Sequence, residues 1–167
     1  MNNCCIFYFC RIATRVQFVS QAHYTLMKKT YNVLIVDDDE DDQFLIKIAF
    51  EKDSAQYNLR FASDGRDVLE NIISPQVLPD LVLLDLNMPV MNGFDVLMHL
   101  KSSPIYRHVP VVVLTTSANE NDINRAYELG ANTFITKPSN HQALVELAEQ
   151  IRLYWFSLAE TPSRRTN

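Results

Sequence analysis

From residue 31 onward, apolar residues follow two alternating patterns. Short runs rich in β-branched residues lie at 32–36 (NVLIV), 57–62 (YNLRFA), 81–86 (LVLLDL), 110–115 (PVVVLT) and 132–136 (NTFIT). Continuous apolar runs of this length suit strands buried on both faces, as in a parallel sheet. Between them the apolar positions return at helical spacing. The stripes are Phe44, Leu45, Ile48 and Ala49; Val68, Leu69, Ile72 and Ile73; Val96, Leu97 and Leu100; Ile123, Ala126 and Tyr127; and Leu144, Val145, Leu147, Ala148 and Ile151. They predict helices packed on the sheet, with Gly130 placed to end the fourth. Five strands alternating with five helices predict an α/β fold, an open, doubly wound sheet joined by right-handed crossovers.

The two ends fall outside this alternation. CCIFYFC is an apolar run of seven, but no basic segment precedes it and no small-x-small cleavage pattern follows. Met27 then opens MKKTYNVLIV, which leads at once into the first strand. Residues 1–30 are therefore expected to be an N-terminal extension, disordered or lying upstream of a start at Met27. Residues 31–156 are expected to form one domain, and 157–167, which include the polar ETPSRRTN, a frayed C-terminal tail.

Composition narrows the function classes. The net charge is −5, which gives no support to a nucleic-acid-binding surface. No apolar run approaches the ~20 residues of a membrane-spanning helix, so no membrane partner is expected. Cys4, Cys5 and Cys10 are the three cysteines, and none follows residue 10. A fold without a disulfide framework is what a reducing, cytoplasmic location predicts. The nearest histidine to the three cysteines is His23, too distant in sequence to suggest a closed zinc site.

Charge matters most in VLIVDDDEDDQFLI, residues 33–46, where a strand runs into six acids, Asp37 to Asp42. Most charge runs are solvated faces. In a doubly wound sheet, however, sites form outside the carboxyl ends of the strands. Those ends carry Asp37 and Asp38, then Asp85, then Thr115 and Thr116, then Lys137 and Pro138. If the first and third strands are neighbours, three carboxylates converge, and their mutual repulsion calls for a compensating cation. A hard divalent cation such as Mg²⁺ suits oxygen ligands. With Lys137 it would balance the three negative charges. A carboxylate so placed can act as a nucleophile toward a phosphoryl group, with Thr115 and Lys137 as donors to its oxygens.

These residues resemble the receiver domain of two-component response regulators. The resemblance covers roughly residues 31–156 and rests on VDD after the first strand, LLDLNMPVMNG, VLTTS and ITKP together. Asp85 is followed by Thr115 after 30 residues and Thr115 by Lys137 after 22. The resemblance implies a (βα)5, flavodoxin-like sheet with strand order 2-1-3-4-5. It implies Asp85 as phosphoacceptor, Mg²⁺ held by Asp38, Asp85 and the backbone carbonyl of Asn87, and Asp37 supporting the metal through its waters. Thr115 would be the switch hydroxyl and Lys137 the ion-pair partner of the phosphoryl group, with a cis bond before Pro138. Phe134 stands where the family often has a switching tyrosine; it lacks the hydroxyl, which leaves coupling by packing. Asp39, Glu40, Asp41 and Asp42 are expected only in the loop and in the first turn of a helix, where the helix dipole favours acids.

The segment VPVVVLTTSANENDINRAYELGANTFITKP and the late Tyr154-Trp155 resemble the stand-alone receivers of the cyanobacterial phytochrome response regulator type. The implied donor is a sensor histidine kinase or a histidine phosphotransfer protein. The implied output surface is the fourth helix, fifth strand and fifth helix, near Tyr127, Tyr154, Trp155 and Phe156; the same face admits a homodimer. Such a domain signals rather than turning over a substrate. A phosphohydrolase of the haloacid-dehalogenase type needs a second aspartate two residues after its nucleophile, and Asn87 stands there. A phosphate-independent interaction module of the same fold is the other alternative. A histidine-bearing phosphotransfer bundle would not carry five β-rich runs, so His23, His99, His108 and His141 are expected at exposed positions.

Overall fold

Alternation within each strand decides which helical layer its side chains meet. The computed structural model of the chain describes residues 30–52, 56–69 and 77–161; the expectations for 1–29 and for 162–167 lie outside the described residues. Strands β1 (Tyr31–Val36), β2 (Tyr57–Ala62), β3 (Leu81–Leu84), β4 (Val111–Thr115) and β5 (Thr133–Thr136) form one parallel sheet in the order 2-1-3-4-5. Helices α1 (Glu40–Glu51), α2 (from Gly65–Asp67), α3 (Gly93–Ser102), α4 (Glu120–Glu128) and α5 (His141–Leu153) connect or follow them.

Leu34, Val36, Val82, Leu84, Val111 and Val113 face one layer, where they pack with Val68, Val96, Leu97, Leu100 and Ala126. Val33, Ile35, Leu81, Leu83, Val112 and Leu114 face the other, against Ile46, Ala49 and Phe50 of α1 and Leu144, Val145, Ala148 and Ile151 of α5. Both faces of β1, β3 and β4 are thus buried, which is why their sequences read as continuous apolar runs.

Two packing expectations need correction. Ala49 of the expected stripe is buried, but Phe44 is 60% exposed, and α1 buries Ile46 and Phe50 in its place. Residues 44–50 are apolar at every position but Lys47, so the pattern leaves the helix phase open and the packing against α5 decides it. At the other end, the chain widens after α5 into a turn in which the Ala159 N–H donates to the carbonyl of Tyr154 at 2.8 Å. The Phe156 ring thereby packs 4.6 Å from Tyr31 and 5.2 Å from Tyr57, beneath the amino ends of β1 and β2. It belongs to the core at the bottom of the sheet and not to a docking face. No helix among the described residues is long and apolar enough to cross a membrane.

Candidate functional site

Register brings the first two acidic positions together. Val36 pairs with Leu84 at the last rung of β1 and β3, and the Asp85 N–H donates to the Val36 carbonyl at 2.8 Å. Asp37 and Asp85 therefore leave the sheet side by side, and both are buried. The Asp37 N–H donates to the Ala62 carbonyl of β2 at 3.0 Å, which holds the acid in place on its other side. Thr115 pairs with Thr136 at the last rung of β4 and β5, and the next residue, Lys137, donates its N–H to the Thr115 carbonyl at 2.7 Å.

α1 starts where the acid run needs a stop. Asp39 is its N-cap, with Oδ1 accepting from the N–H groups of Asp41 (2.9 Å) and Asp42 (3.3 Å). Glu40, Asp41 and Asp42 then occupy the first turn, the favoured end of the helix dipole. Gln43 donates its side-chain amide to the Asp37 carbonyl at 2.6 Å, which fastens the helix to the loop beneath. The run is thus three things: site carboxylates, a cap and a first turn.

One oxygen of Asp85 is engaged by its own backbone. Oδ1 accepts from the N–H of Leu86 at 2.6 Å and of Asn87 at 3.2 Å, while Oδ2 lies 3.5 Å from Lys137 Nζ. Gly93 makes this loop possible: its N–H donates to the Leu86 carbonyl at 3.0 Å, and a Cβ there would sit 2.0 Å from the Asp85 carbonyl oxygen. Val90, in the same loop, has φ 67° and a 73% exposed side chain, a left-handed backbone that β-branched residues resist.

Lys137, the single buried ammonium among the described residues, is shared. Nζ lies 2.6 Å from Asp37 Oδ2, 2.7 Å from Asp42 Oδ2 and 3.5 Å from Asp85 Oδ2. Burial alone would lower the Lys137 pKa, but hydrogen bonds to Asp37 and Asp42 and the nearby charges carry it above its ordinary value. For Asp37 burial wins: desolvation raises its pKa to about 6, against the opposing pull of Lys137. One positive charge does not balance this many carboxylates.

Oxygens of Asp37, Asp38 and Asp85 all lie within 4.8 Å of one another. Hard oxygen donors and an excess of negative charge over the one ammonium fit a divalent cation such as Mg²⁺. Thr115 is fully buried; its Oγ1 lies 3.4 Å from the Asn87 side-chain nitrogen and accepts from the Ser117 N–H at 3.4 Å, with no contact to Asp85. Phe134 packs against the core layer of α3 and α4, and its N–H donates to the Tyr127 hydroxyl at 3.2 Å. Tyr127 is 50% and Tyr154 54% exposed, so of the aromatics expected near the output surface these two stay at the surface, while Phe156 packs against the core.

The bond before Pro138 is trans, since the described residues contain no cis peptide. Lys137 is aimed by the β4–β5 edge instead, through its hydrogen bond to Thr115. The residue that the sequence did not single out is Asp42. Its signal was indirect: as the third residue after an N-cap at Asp39, its side chain reaches back over the start of the helix toward the strand ends.

Residues 33–149 match the family model described as response regulator receiver domain. The response regulator Rcp1 of Synechocystis sp. is 33% identical over 138 residues, covering 78% of this chain and 92% of Rcp1. The crystal structure of the phosphorylated cyanobacterial phytochrome response regulator RcpA superposes with a TM-score of 0.76 at 34% identity, covering 80% of this chain and 99% of RcpA. The Mn²⁺-bound form of Rcp1 gives a TM-score of 0.72 at 32% identity, covering 80% and 99%.

Proposed function

This chain belongs to the response regulator receiver domain family, and from that premise we propose that it is a phosphorylation switch whose acceptor is Asp85. Phosphorylation of an aspartate is how this family works. The observation that carries the assignment is the surrounding of Asp85: one oxygen held by two backbone N–H groups, the other facing Lys137, with Asp37 and Asp38 beside it.

In the reaction a carboxylate oxygen of Asp85 attacks phosphorus. The bond from phosphorus to a histidine nitrogen of a kinase or phosphotransfer protein breaks, and that nitrogen leaves with the electron pair and takes up a proton. Backbone N–H groups of Leu86 and Asn87 orient the nucleophile, and the Lys137 ammonium offsets charge on the transferred group. When bound through Asp38, Asp85 and the carbonyl of Asn87, with Asp37 in support, Mg²⁺ supplies the remaining charge neutralisation.

The added charge of about −2 acts on Thr115 and Lys137. Thr115 turns its hydroxyl from the neighbourhood of Asn87 toward the phosphoryl oxygens. Phe134 and Tyr127, joined by the hydrogen bond across β5 and α4, carry that displacement to the face formed by α4, β5 and α5. A partner protein or a second copy of the chain reads the switch there.

The test is intact mass after incubation with acetyl phosphate, with and without Mg²⁺, beside Asp85→Asn. A Mg²⁺-dependent gain of one phosphoryl group that is absent from the variant is the expected result. An equal gain in Asp85→Asn would overturn the assignment of the acceptor. No gain from acetyl phosphate or from a phosphorylated histidine phosphotransfer protein would favour a phosphate-independent module.

A further inference from the structure

We infer that Asp42 is a positioning residue that holds the Lys137 ammonium away from Asp85 in the unphosphorylated state and releases it when a phosphoryl group arrives. The inference rests on the reading of Asp85 as acceptor and adds a competitor for its lysine.

An ammonium has three N–H donors, and three carboxylates surround Lys137 Nζ. Their distances are unequal: 2.6 Å to Asp37, 2.7 Å to Asp42 and 3.5 Å to Asp85. In the resting state the lysine is therefore bonded to Asp37 at the end of β1 and to Asp42 on the first turn of α1, and only loosely to the nucleophile. A phosphoryl group on Asp85 brings oxygens that need this ammonium, and a resting bond must give way to them.

The two resting partners differ in how easily they can let go. The Asp37 side chain is 3% exposed, so parting it from Lys137 would leave a charge buried without its partner. Asp42 is 19% exposed and sits on the first turn of a helix, where water and the helix dipole can stabilise it alone. Asp42 is thus the exchangeable partner and Asp37 the permanent one. Among the described residues the Asp42 side chain has no other polar contact to lose, and its N–H stays bonded to Asp39 whatever the side chain does. Its carboxylate raises the energy of the state in which Lys137 binds the phosphoryl group, and so sets how far phosphorylation goes.

The experiment measures binding of beryllofluoride, a phosphoryl mimic, in the presence of Mg²⁺ by the wild type, Asp42→Asn, Asp42→Glu and Asp41→Asn. Asp41 belongs to the same acid run, is exposed and makes no contact with Lys137. The expected result is about fivefold tighter binding by Asp42→Asn, the scale of a partly exposed ion pair. Asp42→Glu and Asp41→Asn are expected to bind like wild type. Equal tightening by Asp41→Asn would mean that only background charge matters and would overturn the inference, as would unchanged affinity in Asp42→Asn. Asp42→Ala, a better helix former, serves as a second neutral variant should the asparagine disturb α1. If wild type takes up no beryllofluoride, or Asp85→Asn takes it up equally, the acceptor reading has failed, and a crystal structure of Asp42→Asn then decides the competition alone. Movement of Nζ to about 2.8 Å from Asp85, a charge-assisted hydrogen bond, would support it; a lysine left in place would overturn it.

Discussion

The N–H of Lys137 donates to the carbonyl of Thr115 at 2.7 Å, so the two side chains that would grip a phosphoryl group hang from one rung of the β4–β5 edge. Coupling between the two is expected to run through this backbone link. Lys137→Ala keeps that rung but removes the only buried ammonium among Asp37, Asp42 and Asp85. Without a divalent cation, the variant is expected to lose about 3 kcal/mol of stability, as when one partner of a buried ion pair is deleted. Urea unfolding with and without Mg²⁺ checks this: the variant should recover more stability from Mg²⁺ than the wild type does. It should also still take phosphate onto Asp85 while the amide resonances of Thr115 and Phe134 fail to shift. Wild-type shifts in Lys137→Ala would contradict the coupling.

Gly93 and Gly130 are required for different reasons, and their alanine variants should separate site from scaffold. A methyl at Gly93 would sit 2.0 Å from the Asp85 carbonyl oxygen, and the loop must move to admit it. Gly130 has φ 95° and follows the end of α4, and the atoms nearest to an added Cβ belong to the flexible Lys101 side chain. Both substitutions are expected to destabilise by about 2 kcal/mol, one by overpacking and one by backbone strain. Only Gly93→Ala should also slow phosphoryl uptake from acetyl phosphate, measured as the rate of mass gain. Equal slowing by both would show that the loop is not specifically tied to Asp85.

The sheet was legible in the sequence because burial on both faces leaves an unmistakable run of aliphatics. The site was legible because a parallel sheet delivers strand ends to one edge, so Asp37, Asp85, Thr115 and Lys137 needed only the strand order to meet. Helix phase was less legible. Residues 44–50 are apolar at all positions but one, and choosing Phe50 over Phe44 required knowing where α5 lies. Phe156 was misplaced for a related reason: a widened turn swings its ring under β1, which no local pattern announces. Six adjacent acids look alike as letters; that Asp42 and not Asp41 meets Lys137 depends on the helix starting at Asp39.

Val90 offers a gain in stability at no expense in packing. Its φ of 67° is a conformation that a β-branched residue occupies under strain, and its side chain is 73% exposed. Asparagine tolerates that region far better. Val90→Asn should stabilise the fold by about 1 kcal/mol, read as a higher denaturation midpoint with an unchanged slope. A lower midpoint would mean that the isopropyl group makes contacts in solution that outweigh the strain.

The buried acids themselves set the last prediction, which concerns pH. In the folded chain burial raises the Asp37 pKa from its ordinary 3.8 to about 6. Between those values the folded state holds a proton that the unfolded state has lost. The contribution of this group is therefore fully present below about pH 4 and disappears as pH rises through 6. At neutral pH the ionised carboxylate is a liability on the order of 3 kcal/mol. Asparagine has the shape of the protonated acid and never ionises. Asp37→Asn, studied in EDTA so that no divalent cation offsets the charge, should be more stable than wild type at pH 7.5 by about that amount. The advantage should shrink through pH 6 and vanish near pH 4, where both chains are neutral at this position. Urea midpoints at the three pH values decide it. An advantage that does not depend on pH would come from packing, and a deficit at pH 7.5 would mean that the bond to Lys137 outweighs the cost of burying the charge. In the expected case, an acid whose burial weakens the fold in EDTA is one of the three that would draw in the cation.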